Sequence, residues 1–127
     1  MTRILIADDE PHVLRVLKLS LEREGYEVDV CDNGRDALAE VQRVPPDVLI
    51  TDINMPLMGG EELCRNIQRE MPQRDFLIFV LTSRTEIEHR EWSREIDNLR
   101  FLEKPVSIRE LTEQLAECHQ PAASGRG

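Results

Sequence analysis

The sequence predicts an α/β fold, a (βα)5 doubly wound parallel sheet with helices on both faces. Along its 127 residues, short aliphatic runs rich in β-branched residues alternate with longer stretches whose apolar residues recur at helical spacing. Five repetitions of strand and then helix imply parallel strands joined by crossover helices. The length is that of one ordinary domain, so a single core is expected.

Five aliphatic runs are predicted to be strands, and they lie at residues 4–7, 28–31, 47–51, 76–81 and 99–102. Their apolar residues are nearly continuous rather than alternating with polar ones, so we expect all five strands to be buried on both faces. Aromatic residues make up only 4% of the chain, so the core is expected to be aliphatic.

Helix start and stop signals separate the strands. Pro11 occupies a first helical position and Gly25 ends that helix. Asn33-Gly34 precedes a second predicted helix, which Pro45-Pro46 ends, and a third is predicted at about residues 60–71, closed by proline. Capping-box patterns at residues 85–88 and 107–110 predict the start of a fourth and a fifth helix. The fifth carries Leu111, Leu115 and Cys118 on one stripe.

Composition excludes several classes of function. The chain has 25 acidic and 16 basic residues, a formal net charge of -9, which disfavours direct binding of nucleic acid. Three cysteines without a C-x-x-C pair fit reduced thiols in a cytoplasmic protein. No apolar run approaches the ~20 residues of a membrane span, so we predict no membrane association.

The composition changes near the end of the sequence. Residues 120–127 are rich in Ala, Ser and Gly and contain one Pro, which is typical of a flexible tail or the stub of a linker. We therefore assign residues 1–119 to one domain and residues 120–127 to such a tail.

Polar side chains follow four of the predicted strands, where a core does not need them. They are Asp8 and Asp9, Asp52, Thr82 and Lys104. In open parallel sheets the functional groups collect at the carboxyl ends of the strands, near the point where strand order reverses. We expect these side chains to share one site.

Asp8, Asp9 and Asp52 place three carboxylates at neighbouring strand ends. Converging like charges repel one another unless a cation neutralises them, and Mg2+ is the hard, oxygen-liganding cation that suits carboxylates, water and a phosphate. Mn2+ takes the same class of ligand and is a second cation that would fit. The alternative is that the acidic residues at positions 8–10 only cap the following helix.

Asp52, Lys104 and Thr82 each have a chemical and a structural interpretation. Asp52 ends an apolar strand and can act as a nucleophile in aspartyl-phosphate chemistry, or it can be a turn residue. Lys104 can pair with the acidic cluster and a phosphoryl oxygen, or it can be an ordinary surface lysine. Thr82 can donate to a phosphoryl oxygen, or it can cap a helix, a role that Ser83 or Thr85 could fill instead.

Four motifs together resemble the receiver domain of two-component response regulators of the chemotaxis-regulator type. They are Ile-Ala-Asp-Asp-Glu-Pro at 6–11, Asp-Ile-Asn-Met-Pro-Leu-Met-Gly-Gly at 52–60, Leu-Thr-Ser at 81–83 and Phe-Leu-Glu-Lys-Pro at 101–105. Each motif alone is weak, but the four in this order are specific. The resemblance covers about residues 2–119.

The resemblance implies a flavodoxin-like fold with strand order 2-1-3-4-5. It implies that Asp52 accepts a phosphoryl group from a sensor histidine kinase or a phosphotransfer protein. Asp8 and Asp9 would help Asp52 to hold Mg2+, and Asn54 would contribute its backbone carbonyl.

The resemblance also implies a switch. Lys104 would pair with the phosphoryl group, Thr82 would move to hydrogen-bond it, and the aromatic ring of Phe101 would turn inward when Thr82 moves. The changed surface would be the face of the fourth helix, fifth strand and fifth helix. That face would bind a downstream protein or an attached output domain, and homodimerisation through it is a further option. Such a protein is a regulator rather than an enzyme, with at most slow self-catalysed phosphorylation and dephosphorylation.

The chain departs from the family pattern at a few places. Residues 97–100 replace a small Gly-Ala pair that precedes the fifth strand in most members, and Arg84 stands where its side chain could overhang the site. Trp92 is either packed against the sheet or an exposed anchor for a partner.

Two other classes of function compete with the switch. A constitutive interaction module on the same fold would lack the acidic pair, the acceptor or the lysine, all of which are present here. A nucleotide-binding α/β protein would carry a glycine-rich loop after the first strand, where this chain has Asp8-Asp9-Glu10-Pro11.

Overall fold

A computed structural model describes residues 2–83, 86 and 90–118 of the chain. Its five strands form one parallel sheet in the order β2-β1-β3-β4-β5, as predicted. The strands are β1 (Arg3–Ala7), β2 (Glu27–Cys31), β3 (Val48–Asp52), β4 (Leu77–Thr82) and β5 (Leu99–Glu103). The order reverses between β1 and β3, which defines the edge of the sheet at which a site is expected.

Four complete α-helices lie within the described residues and connect or follow the strands. They are α1 (Pro11–Arg23), α2 (Gly34–Arg43), α3 (Gly60–Glu70) and α4 (Ile108–Cys118), and α4 is the predicted fifth helix. Proline opens α1, the Asn33 side chain accepts the backbone N–H of Asp36 at 2.7 Å, and the Ser107 hydroxyl accepts that of Glu110 at 3.1 Å.

The predicted fourth helix is only partly described. A 3-10 helix spans Arg90–Glu95, directly before β5. The capping box predicted at residues 85–88 lies outside the described residues, apart from Glu86. The predicted position of Arg84 and the boundary between residues 119 and 120 also lie outside them.

The sheet separates two apolar layers. Successive side chains of a strand point to opposite faces, so Ile4 and Ile6 pack toward α1 and α4, whereas Leu5 and Ala7 pack toward α2 and α3. The three central strands are buried almost throughout, as the continuous apolar runs predict.

The prediction that all five strands are buried on both faces is wrong for β2 and β5. Asp29 and Val30 are exposed in β2, and Arg100 and Glu103 are exposed in β5. Both strands lie at an edge of the sheet and have only one neighbouring strand, so their outer positions lack cover. The apolar runs identify the strands but do not distinguish central from edge positions.

Trp92 in the 3-10 helix is packed, as one of the two alternatives held. Its ring meets that of Phe101 on β5 edge to face, with centroids 5.9 Å apart and an interplanar angle of 79°. In the segment before β5, Asn98 has a φ of 53°, a left-handed conformation that asparagine adopts more readily than most residues.

No helix in the described part of the chain has the length and apolarity needed to cross a bilayer.

Candidate functional site

The register of the central strands brings the predicted site residues to one edge of the sheet. Ala7 pairs with Thr51, so Asp8 and Asp52 follow at the same level on neighbouring strands. Thr82 ends β4, next to β3, and its carbonyl accepts the backbone N–H of Lys104 at 2.7 Å. Asp8, Asp9, Asp52, Thr82 and Lys104 therefore share one site.

Three carboxylates converge at this site. One oxygen from each of Asp8, Asp9 and Asp52 lies within 4.8 Å of the other two. Asp8 is fully buried and Asp52 is 3% exposed, whereas Asp9 is exposed. Two buried acids beside a third that faces solvent form a half-open pocket in which charge is poorly screened by water.

Asp8 is a buried carboxylate with only one of its two oxygens hydrogen-bonded within the described part of the chain. Its Oδ1 accepts the backbone N–H of Glu10 at 3.0 Å, but its buried Oδ2 has no hydrogen-bond partner among the described residues. Burial raises the pKa of Asp8 to about 6, and the charge of Asp52 adds to this, although the Glu10 N–H and Lys104 oppose it. A buried carboxylate oxygen without a hydrogen-bond partner is suited to bind a cation.

The alternative, that the acidic residues only cap α1, is not what the geometry favours. Glu10 is the N-cap residue of α1, and its side chain makes no capping hydrogen bond. Asp8 accepts one backbone N–H, which leaves its second oxygen directed into the cluster. Oxygen donors alone, two of them buried, match a hard divalent cation such as Mg2+.

Lys104 neutralises part of this negative charge. Its Nζ lies 2.6 Å from Oδ1 of Asp52, and the same oxygen accepts the backbone N–H of Ile53 at 2.8 Å. Burial alone would lower the pKa of Lys104, but the hydrogen bond and charge of Asp52 outweigh it and raise that pKa. Lys104 is thus part of the site rather than an ordinary surface lysine. The peptide bond from Lys104 to Pro105 is cis.

The hydrogen-bond partners of the buried Thr82 hydroxyl lie in the segment that follows β4. The hydroxyl donates to the carbonyl of Ser83 at 3.1 Å and reaches Oε1 of Glu86 at 3.5 Å. Ser83, not Thr82, acts as the N-cap: its Oγ accepts the Glu86 N–H at 3.1 Å, and its own N–H donates to Glu86 Oε1 at 2.9 Å. Thr82 is therefore not needed as the cap of this segment.

Sequence reasoning missed two residues that border the site. Glu86 accepts a hydrogen bond from the side-chain amide of Asn54, so it joins the loop after β3 to the segment after β4. Gly60 is buried against the backbone of Asp52 and Ile53. The signals were present as the Ser-x-x-Glu pattern of residues 83–86 and as the last glycine of the motif at 52–60.

An apolar groove of about 440 Å³ lies beside Lys104. Its lining comes from α1 and from the loop between β5 and α4, and includes His12, Val13, Val16, Pro105 and Val106. Val16 is 39% exposed, so part of this apolar surface faces solvent. The groove therefore offers an apolar contact surface next to the charged site.

Comparison with known proteins gives one consistent family. The family model described as "Response regulator receiver domain" matches residues 4–116. Among curated proteins, the transcriptional regulatory protein ResD of Bacillus subtilis is 34% identical over 110 residues, which are 87% of this chain and 45% of ResD. The chain spans about half the length of the transcriptional regulators that it matches.

Solved structures agree with this result. The chemotaxis protein CheY4 of Vibrio cholerae superposes with a TM-score of 0.83 at 30% identity, covering 93% of this chain and 98% of CheY4. The response regulator TrrA of Thermotoga maritima, solved in complex with Mg(2+)-BeF, gives a TM-score of 0.81 at 33% identity and covers 93% and 99% of the two chains.

Proposed function

The chain belongs to the response regulator receiver domain family, and we propose that it is a phosphorylation switch whose acceptor is Asp52. The observation that carries this proposal is the pairing of a nearly buried Asp52 with Lys104 inside a cluster of two further carboxylates. Of the three acids, Asp52 ends a central strand and forms the salt bridge with Lys104, so it is the acceptor we propose.

The reaction we propose is transfer from the phosphohistidine of a sensor histidine kinase or a phosphotransfer protein. An Asp52 oxygen forms a bond to phosphorus while the P–N bond breaks, and the electron pair of that bond leaves with the imidazole. Such transfer depends on positioning and charge neutralisation more than on acid–base help. Lys104, which already contacts Asp52 at 2.6 Å, is placed to neutralise the charge of the transferred group.

Asp8, Asp9 and Asp52, with the backbone carbonyl of Asn54, are the groups that would hold Mg2+. The orphaned Oδ2 of Asp8 and the approach of the three carboxylate oxygens to within 4.8 Å of one another support this assignment, and Mn2+ would accept the same donors. A divalent cation bound there supplies charge neutralisation for the phosphoryl oxygens.

The switch we propose begins at Thr82. A phosphoryl group on Asp52 would draw the Thr82 hydroxyl toward it, which vacates space near Phe101. The Phe101 ring, now packed edge to face on Trp92, would then turn inward. The consequence is a changed surface made of the fourth-helix segment, β5 and α4, which binds the downstream target.

The proposed partners follow from this arrangement. A donor protein must bring its phosphohistidine to Asp52, and the apolar groove beside Lys104 is the surface it would contact. The output is a separate protein or an attached domain, in keeping with relatives about twice as long as this chain. We also propose a cytoplasmic location, which the free thiols of Cys31 and Cys64 support.

The proposal is tested with a small phosphodonor. Incubation of the wild type with acetyl phosphate and Mg2+ should add the mass of one phosphoryl group, and Asp52→Ala should gain none. Any catalysis is expected to be limited to slow phosphorylation and dephosphorylation of Asp52 itself. An unmodified wild type would overturn the switch and favour the constitutive interaction module on the same fold.

Replacement of Lys104 by alanine is expected to slow this phosphorylation about 100-fold, the usual loss when one charge-stabilising donor is removed. Lys104→Arg retains the positive charge and should lose less. The measurement is the initial rate of phosphoryl incorporation from acetyl phosphate at saturating Mg2+. Equal rates for wild type and Lys104→Ala would contradict the role given to Lys104.

A further inference from the structure

Glu86 contacts hydrogen-bond donors from the two loops that border the phosphoacceptor site. Its Oε1 accepts the Ser83 N–H at 2.9 Å and lies 3.5 Å from the Thr82 hydroxyl, and its Oε2 accepts the side-chain amide of Asn54. The Glu86 carboxylate therefore interacts with donors from the end of β4 and from the loop after β3.

The charge of Glu86 also reaches the site itself. Burial would raise the pKa of Glu86, but its hydrogen bonds to Ser83 and Asn54 and the charge of Lys104 lower it, so the side chain is an anion at neutral pH. Glu86 in turn contributes to the raised pKa of Lys104. The side chain is therefore an anion within electrostatic range of the lysine that pairs with Asp52.

Resting on the function proposed above, we propose that Glu86 is a built-in competitor of the phosphoryl group, which holds Thr82 in the unphosphorylated arrangement. A phosphoryl group on Asp52 needs the Thr82 hydroxyl, and it repels a neighbouring carboxylate. The Thr82 hydroxyl has one hydrogen, so it cannot donate to the phosphoryl group and to the Glu86 carboxylate at the same time. Phosphorylation is then coupled to the release of Glu86 from Thr82, Ser83 and Asn54.

This release provides a physical link from the site to the fourth-helix segment. Ser83 and Glu86 form a reciprocal capping box, so displacement of the Glu86 side chain removes one of its two hydrogen bonds. The Asn54 bond to the loop after β3 is lost in the same step. A local change at Asp52 thereby alters the beginning of the segment that leads to Trp92 and β5.

The test uses two substitutions that separate charge from capping. Glu86→Gln keeps a side-chain oxygen that can accept from the Ser83 N–H but removes the charge, whereas Glu86→Ala removes both. The matched control is Glu91→Gln, which removes a charge from an exposed position of the 3-10 helix. The probe is beryllium fluoride with Mg2+, a mimic of the phosphoryl group, and the readout is its apparent affinity from amide NMR titration.

Both Glu86 variants are expected to bind the mimic at least about five-fold more tightly than the wild type, since removal of one like charge at short range is worth that factor or more. The Ser83 amide resonance of the wild type should shift on binding, and the Glu86→Ala protein should show a smaller shift. Glu91→Gln should match the wild type.

Three outcomes would overturn the inference. The first is that Glu86→Gln binds beryllium fluoride with the same affinity as the control Glu91→Gln, and the second is that Glu86→Gln binds it more weakly than the wild type. The third is that only Glu86→Ala changes the affinity, which would mean that Glu86 acts only as a cap. These results differ from a failure of the proposed function, in which the wild type itself would neither bind the mimic nor accept a phosphoryl group from acetyl phosphate.

Discussion

Replacement of Gly60 by alanine is expected to lower the free energy of unfolding by about 3 kcal/mol, the upper part of the range for overpacking. A Cβ at this position would lie 2.2 Å from the carbonyl oxygen of Asp52 and 2.9 Å from the Cα of Ile53. Both are backbone atoms that no side-chain rotation can move. Alanine favours a helix over glycine by about 1 kcal/mol, which is too little to offset such a clash.

Gly59→Ala is the matched control for this substitution. The added Cβ would approach one atom of the backbone, the carbonyl oxygen of Ile53, at 2.9 Å. We expect a smaller loss of stability, because a shift of a few tenths of an ångström relieves the contact. Urea unfolding of the wild type and both variants measures the difference as a change in midpoint at constant slope. A Gly60→Ala midpoint at or above that of Gly59→Ala would contradict the packing argument.

The position of Gly60 also matters for function. The backbone of Asp52 and Ile53 that it touches positions the acceptor carboxylate, whose Oδ1 is fixed by the Ile53 N–H at 2.8 Å. Any relief of the clash moves this segment. Gly60→Ala is therefore expected to slow phosphorylation by acetyl phosphate even below its unfolding temperature.

The sheet could be predicted from the sequence because its strands are short aliphatic runs, rich in β-branched residues, that alternate with segments of helical spacing. Pro11, Gly25 and the capping residues then fixed the helix limits to within a few positions. The same runs could not reveal that β2 and β5 are edge strands. Strand order depends on crossover packing, and it was predicted through the family resemblance rather than from the runs.

The site was predictable to the extent that it lies at strand ends. Asp52 and Thr82 are the last residues of their strands, and Asp8 and Lys104 directly follow theirs, so topology alone brings the four together. Glu86 escaped prediction because two overlapping patterns, at residues 83–86 and 85–88, both satisfy the capping-box rule. The reciprocal hydrogen bonds of Ser83 and Glu86 identify the box that forms, and the tertiary contact with Asn54 connects Glu86 to the site.

Replacement of Asp8 by asparagine is expected to stabilise the metal-free protein at pH 7 by on the order of 2 to 3 kcal/mol. Burial and the charge of Asp52 raise the pKa of Asp8 from 3.8 to about 6, so at pH 7 the folded state carries an unfavourable buried anion. Asparagine removes that charge and keeps an oxygen that can accept the Glu10 N–H. Asp9→Asn is the control, because Asp9 is exposed and its charge costs the fold little.

The same pKa gives a pH dependence whose direction is fixed. Between pH 3.8 and about 6 the folded state binds a proton on Asp8 more readily than the unfolded state does. The contribution of Asp8 to stability is therefore most favourable below pH 3.8 and is lost as the pH rises through about 6. Without metal, the difference in unfolding free energy between Asp8→Asn and wild type should grow from pH 4 to pH 7. A difference that stays constant over that range would contradict the raised pKa.

Divalent metal should remove most or all of the stability difference between wild type and Asp8→Asn. A cation that binds only the folded state stabilises it by RT ln(1 + [L]/Kd), so Mg2+ at 100 times its Kd adds about 2.7 kcal/mol to the wild type. Asp8→Asn lacks one carboxylate ligand, so Mg2+ should stabilise it little. Asp9→Asn also lacks a ligand and should lose most of the stabilisation by Mg2+. Thermal or urea unfolding with and without Mg2+ measures this gain. The buried charge of Asp8 thus destabilises the metal-free protein and is also the charge that binds the cation. If the wild type is less stable than Asp8→Asn without metal and gains no more stability from Mg2+ than Asp8→Asn does, cation binding does not explain why Asp8 is buried.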